Sequence, residues 1–307
     1  MTVADVTPAS PTLAIQGRSL RIDSTLVMGV VNASPESFSD GGRHSSLDAQ
    51  VTLAASLADS GADIIDVGGQ SAVTNQAPIE EGVEIDRVLP IVEWLRRERP
   101  DVLVSVDTYK PKVVDAVLEA GAHIINDVSG LAFPEVASAC AAHGAALVVM
   151  HTAAPPKTRL QDPDLYRDVT GEVVRFLQER MDVAVAAGLT REALIVDPGP
   201  DFTKTPHQTV EMLRRIDEIR SLGRPLLLAV SRKDFLGAIT LRTPRQRDAA
   251  TAAAIAHLAA TPGNIVRVHD VAAAVDVIAT IDVLVGRREV ARDFVLSDSL
   301  RYEKPGG

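Results

Sequence analysis

Eight short apolar runs, separated by longer Ala- and Leu-rich segments, constrain this chain more than any other feature. In order they read TLVMGVV, ADIIDVG, VLVSVD, HIIND, ALVVMH, ALIVDPG, PLLLAVS and NIVRVH. Most are nearly unbroken in Val, Ile and Leu, the pattern of strands buried on both faces of a parallel sheet. The intervening stretches, such as LDAQVTLAASLADSGA, KPKVVDAVLEAGA, PEVASACAAHGA and DAATAAAIAHLAATPG, carry helical patterns, and several close on a glycine as helix C-caps do. Eight βα units in 307 residues fit a single-domain (β/α)8 TIM barrel better than an open doubly wound sheet. Ahead of the first run, LAIQGRSLRID alternates around a Gly turn and predicts a short N-terminal hairpin at the barrel bottom. The expected layout is a disordered tail over 1–12, the barrel over 13–290 and a C-terminal tail over 291–307.

Composition narrows the class of ligand. With 31 basic and 41 acidic residues the formal net charge is -10, which disfavours nucleic acid as a partner and makes any anion site depend on a few well-placed cations. The single cysteine, Cys140, excludes an internal disulfide framework and reads as core packing, so a reducing compartment is expected. The opening MTVADVTPASPTLAIQG lacks a basic stretch followed by an apolar core, and the expected localisation is cytoplasmic. The longest apolar stretch, 271–286, is too short to span a bilayer and carries Asp276 and Asp282, so no membrane partner is expected.

Barrel enzymes carry their chemistry on the loops after the C-terminal strand ends. Here those ends read Asn32, Asp66, Asp107, Asn126-Asp127, His151, Asp197, Ser231-Arg-Lys233 and Arg267-Val-His269. Any one Asp at such a place is more often the N-cap of the next helix, and for Asp66 and Asp127 that reading stands. The whole ring of polar ends calls for more. Asp107, Asn126 and Asp197 suit the edge of a flat heterocycle bearing amidine-like N–H groups, because carboxylates accept paired hydrogen bonds and an amide both donates and accepts. Lys233, Arg267 and His269, with Ser231 and Arg232 beside them, form a cationic corner suited to phosphate or diphosphate. Asn32 is an oxygen ligand of the kind Mg2+ takes when substrate phosphates supply most of its shell. His123, His143 and His257 sit in apolar or Ala-rich segments and read as packing or surface residues, and Lys204 and His207 read as part of a solvated loop.

Taken in order and spacing, NASPESFSDGG, DVGGQS, SVDTY, INDVSG, the MH of VVMH, VDPG, AVSRK and RVHDV resemble the motifs of dihydropteroate synthases over nearly the whole chain. The resemblance implies a homodimeric TIM barrel that joins 4-aminobenzoate to 6-hydroxymethyl-7,8-dihydropterin diphosphate with Mg2+. It implies a pterin set of Asp107, Asn126, Asp197 and Lys233, and a diphosphate set of Arg267, His269 and Asn32. It also makes residues 31–42 a closing loop, with Phe38 as an aromatic wall and Gly41-Gly42 permitting movement. Sulfonamide- or sulfone-type compounds are then expected ligands.

The chain departs from the family pattern at ligand-facing positions. Where Thr-Arg-Pro is usual in the second loop it has Ala72-Val73-Thr74, removing a bidentate cation and an apolar ring. Glu36 stands for Asp, Thr152 for Met, and Asp201 for a Gly whose backbone could need a positive φ. These losses favour a pterin-binding paralogue with little or no synthase activity, the alternative being an active synthase whose second loop uses Arg43, Asn75 or Gln76. A methyl-folate binder on a related barrel fits the retained Ser231-Arg232-Lys233 and Arg267-Val-His269 less well.

Overall fold

The computed structural model describes residues 10–34, 46–70 and 77–302. Two short strands come first, β1 (Thr12–Ile15) and β2 (Arg18–Arg21), paired antiparallel with Ile15 opposite Arg18. Gln16 and Gly17 between them take φ values of 45° and 73°, the left-handed pair that a two-residue hairpin turn demands.

Eight parallel strands follow: β3 (Leu26–Asn32), β4 (Ile64–Gly68), β5 (Leu103–Asp107), β6 (Ile124–Asp127), β7 (Ala146–Met150), β8 (Leu194–Asp197), β9 (Leu226–Leu228) and β10 (Asn264–Val268). They close in sequence order, with β10 pairing both β9 and β3, so the barrel has no free edge. All eight apolar runs of the sequence therefore become barrel strands. Among the described residues ten α-helices surround them: α1 (Leu47–Asp59), α2 (Glu81–Glu98), α3 (Pro111–Glu119), α4 (Glu135–His143), α5 (Val169–Ala186), α6 (Pro206–Arg214), α7 (Ile216–Arg220), α8 (Asp234–Thr240), α9 (Asp248–Ala259) and α10 (Val271–Leu284). No helix among the described residues is long and apolar enough to cross a membrane. Residues 291–302 are exposed throughout, and residues 303–307 lie outside the described residues.

Side-chain alternation along each strand divides the apolar residues into two cores. Outward residues such as Val31, Ile65, Val67, Val104, Val106, Leu147 and Val149 meet the helices in the larger one. Inward residues Met28, Ile64, Ile124, Val148, Ile195, Leu227 and Ile265 fill the barrel, where they pack with Leu13, Ile15 and Ile22 of the hairpin segment. The hairpin is thus a plug. It is fixed at the N-terminal ends of the strands by Gln16 Nε2 donating to Ala122 O (3.1 Å) and by Arg224, which donates to the Thr12, Leu194 and Glu192 carbonyls.

Leu13 is fully buried in that plug, whereas Leu300 is 70% exposed. Leu13→Ala is expected to lower unfolding free energy by about 2–5 kcal/mol, and Leu300→Ala by no more than about 0.5 kcal/mol. Urea denaturation of both variants measures this, and a Leu13→Ala loss as small as that of Leu300→Ala would show that the hairpin does not complete the core.

Candidate functional site

The inward positions change character up the barrel. On β5 the sequence Leu103, Ser105, Asp107 runs from apolar through hydroxyl to carboxylate, and β4 places Asp66 above Ile64. The polar groups form one network across the strands. Arg267 on β10 donates from Nε to Asp66 Oδ2 (2.7 Å) and from Nη2 to Asp107 Oδ2 (3.1 Å). Ser105 Oγ donates to Asp66 Oδ1 (2.6 Å), and Asn126 Nδ2 donates to Asp66 Oδ2 (3.3 Å). Asp66 is therefore no helix cap but the buried hub of the site, correcting its assignment from sequence. Its inward register, two residues beyond Ile64, was the available signal. Asp127 points the other way and accepts from Ser129 N (2.7 Å), as a local cap does.

Because Asn126 turns its amide nitrogen toward the Asp66 carboxylate, its Oδ1 faces elsewhere, and that buried oxygen has no partner among the described residues. Above this floor lies a cavity of about 440 Å3. Asp107, Asn126, Asp197, Lys233 and Arg267 all line it, joined by Tyr109, Met150, Phe202 and the segment 155–161 after β7. Sequence reasoning missed that segment, because its Pro-rich run has no periodicity to tie it to a site.

Electrostatically the floor holds more acid than its surroundings favour. Burial raises the pKa of Asp107 to about 7, against the attraction of Arg267 and with Asp66 adding to the rise. Burial likewise lifts Asp197 to about 6, although its carboxylate accepts from Gly199 N at 2.7 Å. Arg267 loses solvation too, yet the two carboxylates outweigh that cost and leave its pKa raised. Lys233 is depressed by burial, opposed by Asp201 and Asp197, and its ammonium rests 4.3 Å from the centre of the Phe202 ring.

The cationic corner expected from sequence is rearranged. Arg267 spends its guanidinium on the floor, and Arg232 forms a two-pronged pair with Asp248 (2.7 and 3.2 Å). Lys233 is positioned from below by Arg247, whose Nη1 donates to the carbonyls of Arg232 (2.8 Å) and Lys233 (3.0 Å). Ser231 Oγ and His269 Nδ1 lie 3.0 Å apart at the rim, outside the cavity lining, and Asn32 stands half-buried at the end of β3. Phe38, Glu36, Gly41-Gly42 and Arg43 of the first loop lie outside the described residues, as do Ala72, Val73, Thr74, Asn75 and Gln76 of the second. Gln70 at the base of that second loop accepts from Ile79 N (2.8 Å) and borders the cavity.

The loop after β8 is held in an uncommon conformation. Gly199, Asp201 and Thr203 all have positive φ, at 63°, 64° and 51°. Only glycine is possible at 199, since a Cβ would sit 2.2 Å from the His151 carbonyl oxygen. Asp201 tolerates the left-handed region because its side chain is tied locally, accepting from Thr209 Oγ1 (3.1 Å) and Phe235 N (3.2 Å). Lys204, expected in a solvated loop, is fully buried, and His207 is exposed.

For a divalent cation the described residues contain no group of three or more His, Cys, Asp or Glu side chains able to hold it. One amide oxygen, that of Asn32, fits the sparse protein share that Mg2+ takes beside phosphates and water.

With this geometry in view, a family model described as "Pterin binding enzyme" matches residues 28–269. The chain is 38% identical to the dihydropteroate synthase of Synechocystis over 262 residues, 85% of this chain and 90% of that one. Among solved structures, a Yersinia pestis dihydropteroate synthase with a sulfonamide drug complex superposes with a TM-score of 0.83 at 35% identity, covering 89% of this chain and 98% of the other. A Xanthomonas albilineans dihydropteroate synthase with 4-aminobenzoic acid does so at 0.81 and 39%, covering 90% and 98%. A chain that forms this closed barrel and matches these enzymes across most of its length belongs to the pterin-binding enzyme family, among the homologues of dihydropteroate synthase.

Proposed function

We propose that this chain is a working dihydropteroate synthase, joining 4-aminobenzoate to 6-hydroxymethyl-7,8-dihydropterin diphosphate with release of diphosphate. The observation that carries the reading is the cavity floor. It offers the unpartnered Asn126 Oδ1 beside the Asp107 and Asp197 carboxyls, an acceptor set for a ring edge rich in N–H groups. The matched relatives are named as synthases, which favours this alternative over the reduced-activity reading.

In the proposed reaction Asp107, Asn126 and Asp197 fix the pterin edge. The Lys233 ammonium, seated on Phe202, faces the ring and the departing anion. Ser231 and His269 at the rim receive the diphosphate. Mg2+, held by Asn32 and the substrate's own phosphates, would supply further charge neutralisation. The aromatic amine is a weak nucleophile, so the chain's contribution is electrostatic and positional: it stabilises the leaving anion and shields the reacting carbon from water.

A second reading, a pterin-binding barrel with little or no turnover, rests on the Ala72-Val73-Thr74 sequence in place of Thr-Arg-Pro. Loss of one charged contact that acts in the transition state costs about a hundredfold or more in rate. Purified protein, Mg2+ and both substrates distinguish the two readings through diphosphate release. Turnover of about 1 s⁻¹ or more, falling about 10²–10³-fold in Lys233→Met, is expected. If turnover is instead near zero and the combined Ala72→Thr, Val73→Arg and Thr74→Pro changes raise it about a hundredfold, the second reading is correct.

The acid groups add a pH signature. Asp197 is protonated below about pH 6 in the free site, whereas an N–H edge requires the carboxylate, so ligand binding releases a proton in that range. Asp107, raised to about 7, must lose its proton in the same way, so pterin affinity should rise with pH up to about 7 and level off above it. Calorimetry in buffers of different ionisation enthalpy reads the proton release directly. In Asp197→Asn the part of the release centred near pH 6 should vanish, leaving that of Asp107 near pH 7, and affinity should drop about 10- to 100-fold.

A further inference from the structure

Lys204 has no relative exposure at all, an unusual state for a residue whose charge normally keeps it in water. Its Nζ contacts three acceptors: His151 Nδ1 at 2.8 Å, Gly199 O at 3.0 Å and Phe202 O at 3.0 Å. Those three match the three donors of an ammonium group. His151 must accept through Nδ1, so its ring is neutral, in keeping with a pKa depressed first by burial and then by the Lys204 charge. The imidazole is itself fixed against Phe176, edge to face at 4.9 Å, and Tyr166 at 5.9 Å.

The two carbonyls that Lys204 holds lie within the stretch 199–203, where Gly199, Asp201 and Thr203 have positive φ. From outside, the same stretch is tied by Thr209, by Phe235 N and by Ala153 N donating to Thr203 Oγ1 (2.9 Å). Lys204 supplies the tie from inside. The residue whose carbonyl it grips, Phe202, is the one whose ring supports Lys233 in the cavity. We infer that Lys204 is a positioning residue for the substrate site: it joins His151 at the end of β7 to the loop after β8 and thereby sets the Phe202 platform beneath Lys233.

Burial brings the Lys204 pKa down to about 7, with Asp197 and Asp201 opposing and Lys233 adding to the fall. Those carboxylates and its three acceptors oppose the loss of its charge at this depth, consistent with a group kept for geometry.

The assignment rests on the pterin-site reading above, and the test separates the two. The dissociation constant of the pterin diphosphate is measured by calorimetry on the full chain for wild type, Lys204→Met, Phe202→Leu and the double variant. Leu177→Ala, a fully buried α5 change, serves as a core control for destabilisation. Lys204→Met and Phe202→Leu should each weaken binding about tenfold, and the double variant should be no weaker than the worse single one, as expected for residues acting as one unit. The core control should stay within about twofold of wild type.

Should Lys204→Met fail to fold, His151→Leu, which withdraws one acceptor, is expected to bind at least about threefold more weakly than His151→Gln, which retains one. Unchanged binding in Lys204→Met, additive losses in the double variant, or equal affinities of the two His151 variants would overturn the assignment while leaving the pterin reading intact. A wild-type protein that binds no pterin diphosphate would overturn both.

Discussion

Everything at the open end of this barrel depends on one guanidinium. Arg267 reaches from β10 past β3 to bond carboxylates on β4 and β5, two strands with which β10 does not pair. Asp66 is wholly removed from water, and a carboxylate there would be prohibitively costly without a charged partner and further donors. Arg267, Ser105 and Asn126 together satisfy it. Their satisfaction has a consequence one layer higher. With Asn126 turned by Asp66, its amide oxygen is left without a partner at the cavity wall, so the acceptor there is a by-product of holding the hub.

The contrast with the opposite end explains why the site can exist. The lower half of the barrel interior is apolar and is closed by a hairpin contributing Leu13, Ile15 and Ile22, so water does not reach the strand ends from below. Stability is concentrated there. The upper half can then hold several carboxyls with raised pKa values and a depressed lysine, a set that opposes folding yet gives a pocket of tunable protonation. Such a division of labour is what a closed barrel permits, because strand pairing supports both halves at once.

Much of this was legible in sequence, for identifiable reasons. The eight strands read clearly because burial on both faces leaves unbroken Val, Ile and Leu runs, and the hairpin read clearly because its alternation surrounds a Gly turn. Asp107, Asn126, Asp197, Lys233 and Arg267 were found by their place at strand ends. Less visible was which groups neutralise which. Arg267 and Arg232 looked like phosphate ligands, yet both are engaged by carboxylates, Asp66 and Asp107 for one and Asp248 for the other, through partners far away in sequence. Lys204 was misplaced for the same reason: a polar loop sequence, DFTKT, conceals a lysine that folds back under its own backbone. Register and local chemistry can be read along a chain, whereas charge pairing is a property of the assembled barrel.

That distinction bears on how the departures from the family pattern should be weighed. Asp201 illustrates it. In sequence it reads as a strained, charged replacement for glycine, and its φ is indeed positive. Yet both carboxylate oxygens are occupied by Thr209 and Phe235, and its charge helps keep the buried Lys233 and Lys204 protonated. A substitution that counts as a loss when read position by position is here part of a rebuilt network around the same lysines. The floor is carried on strands and pinned by Arg267, Thr152 borders the cavity above it, and Glu36 and Ala72-Val73-Thr74 lie outside the described residues. The floor on which the reading of the site rests is therefore built into the barrel strands themselves.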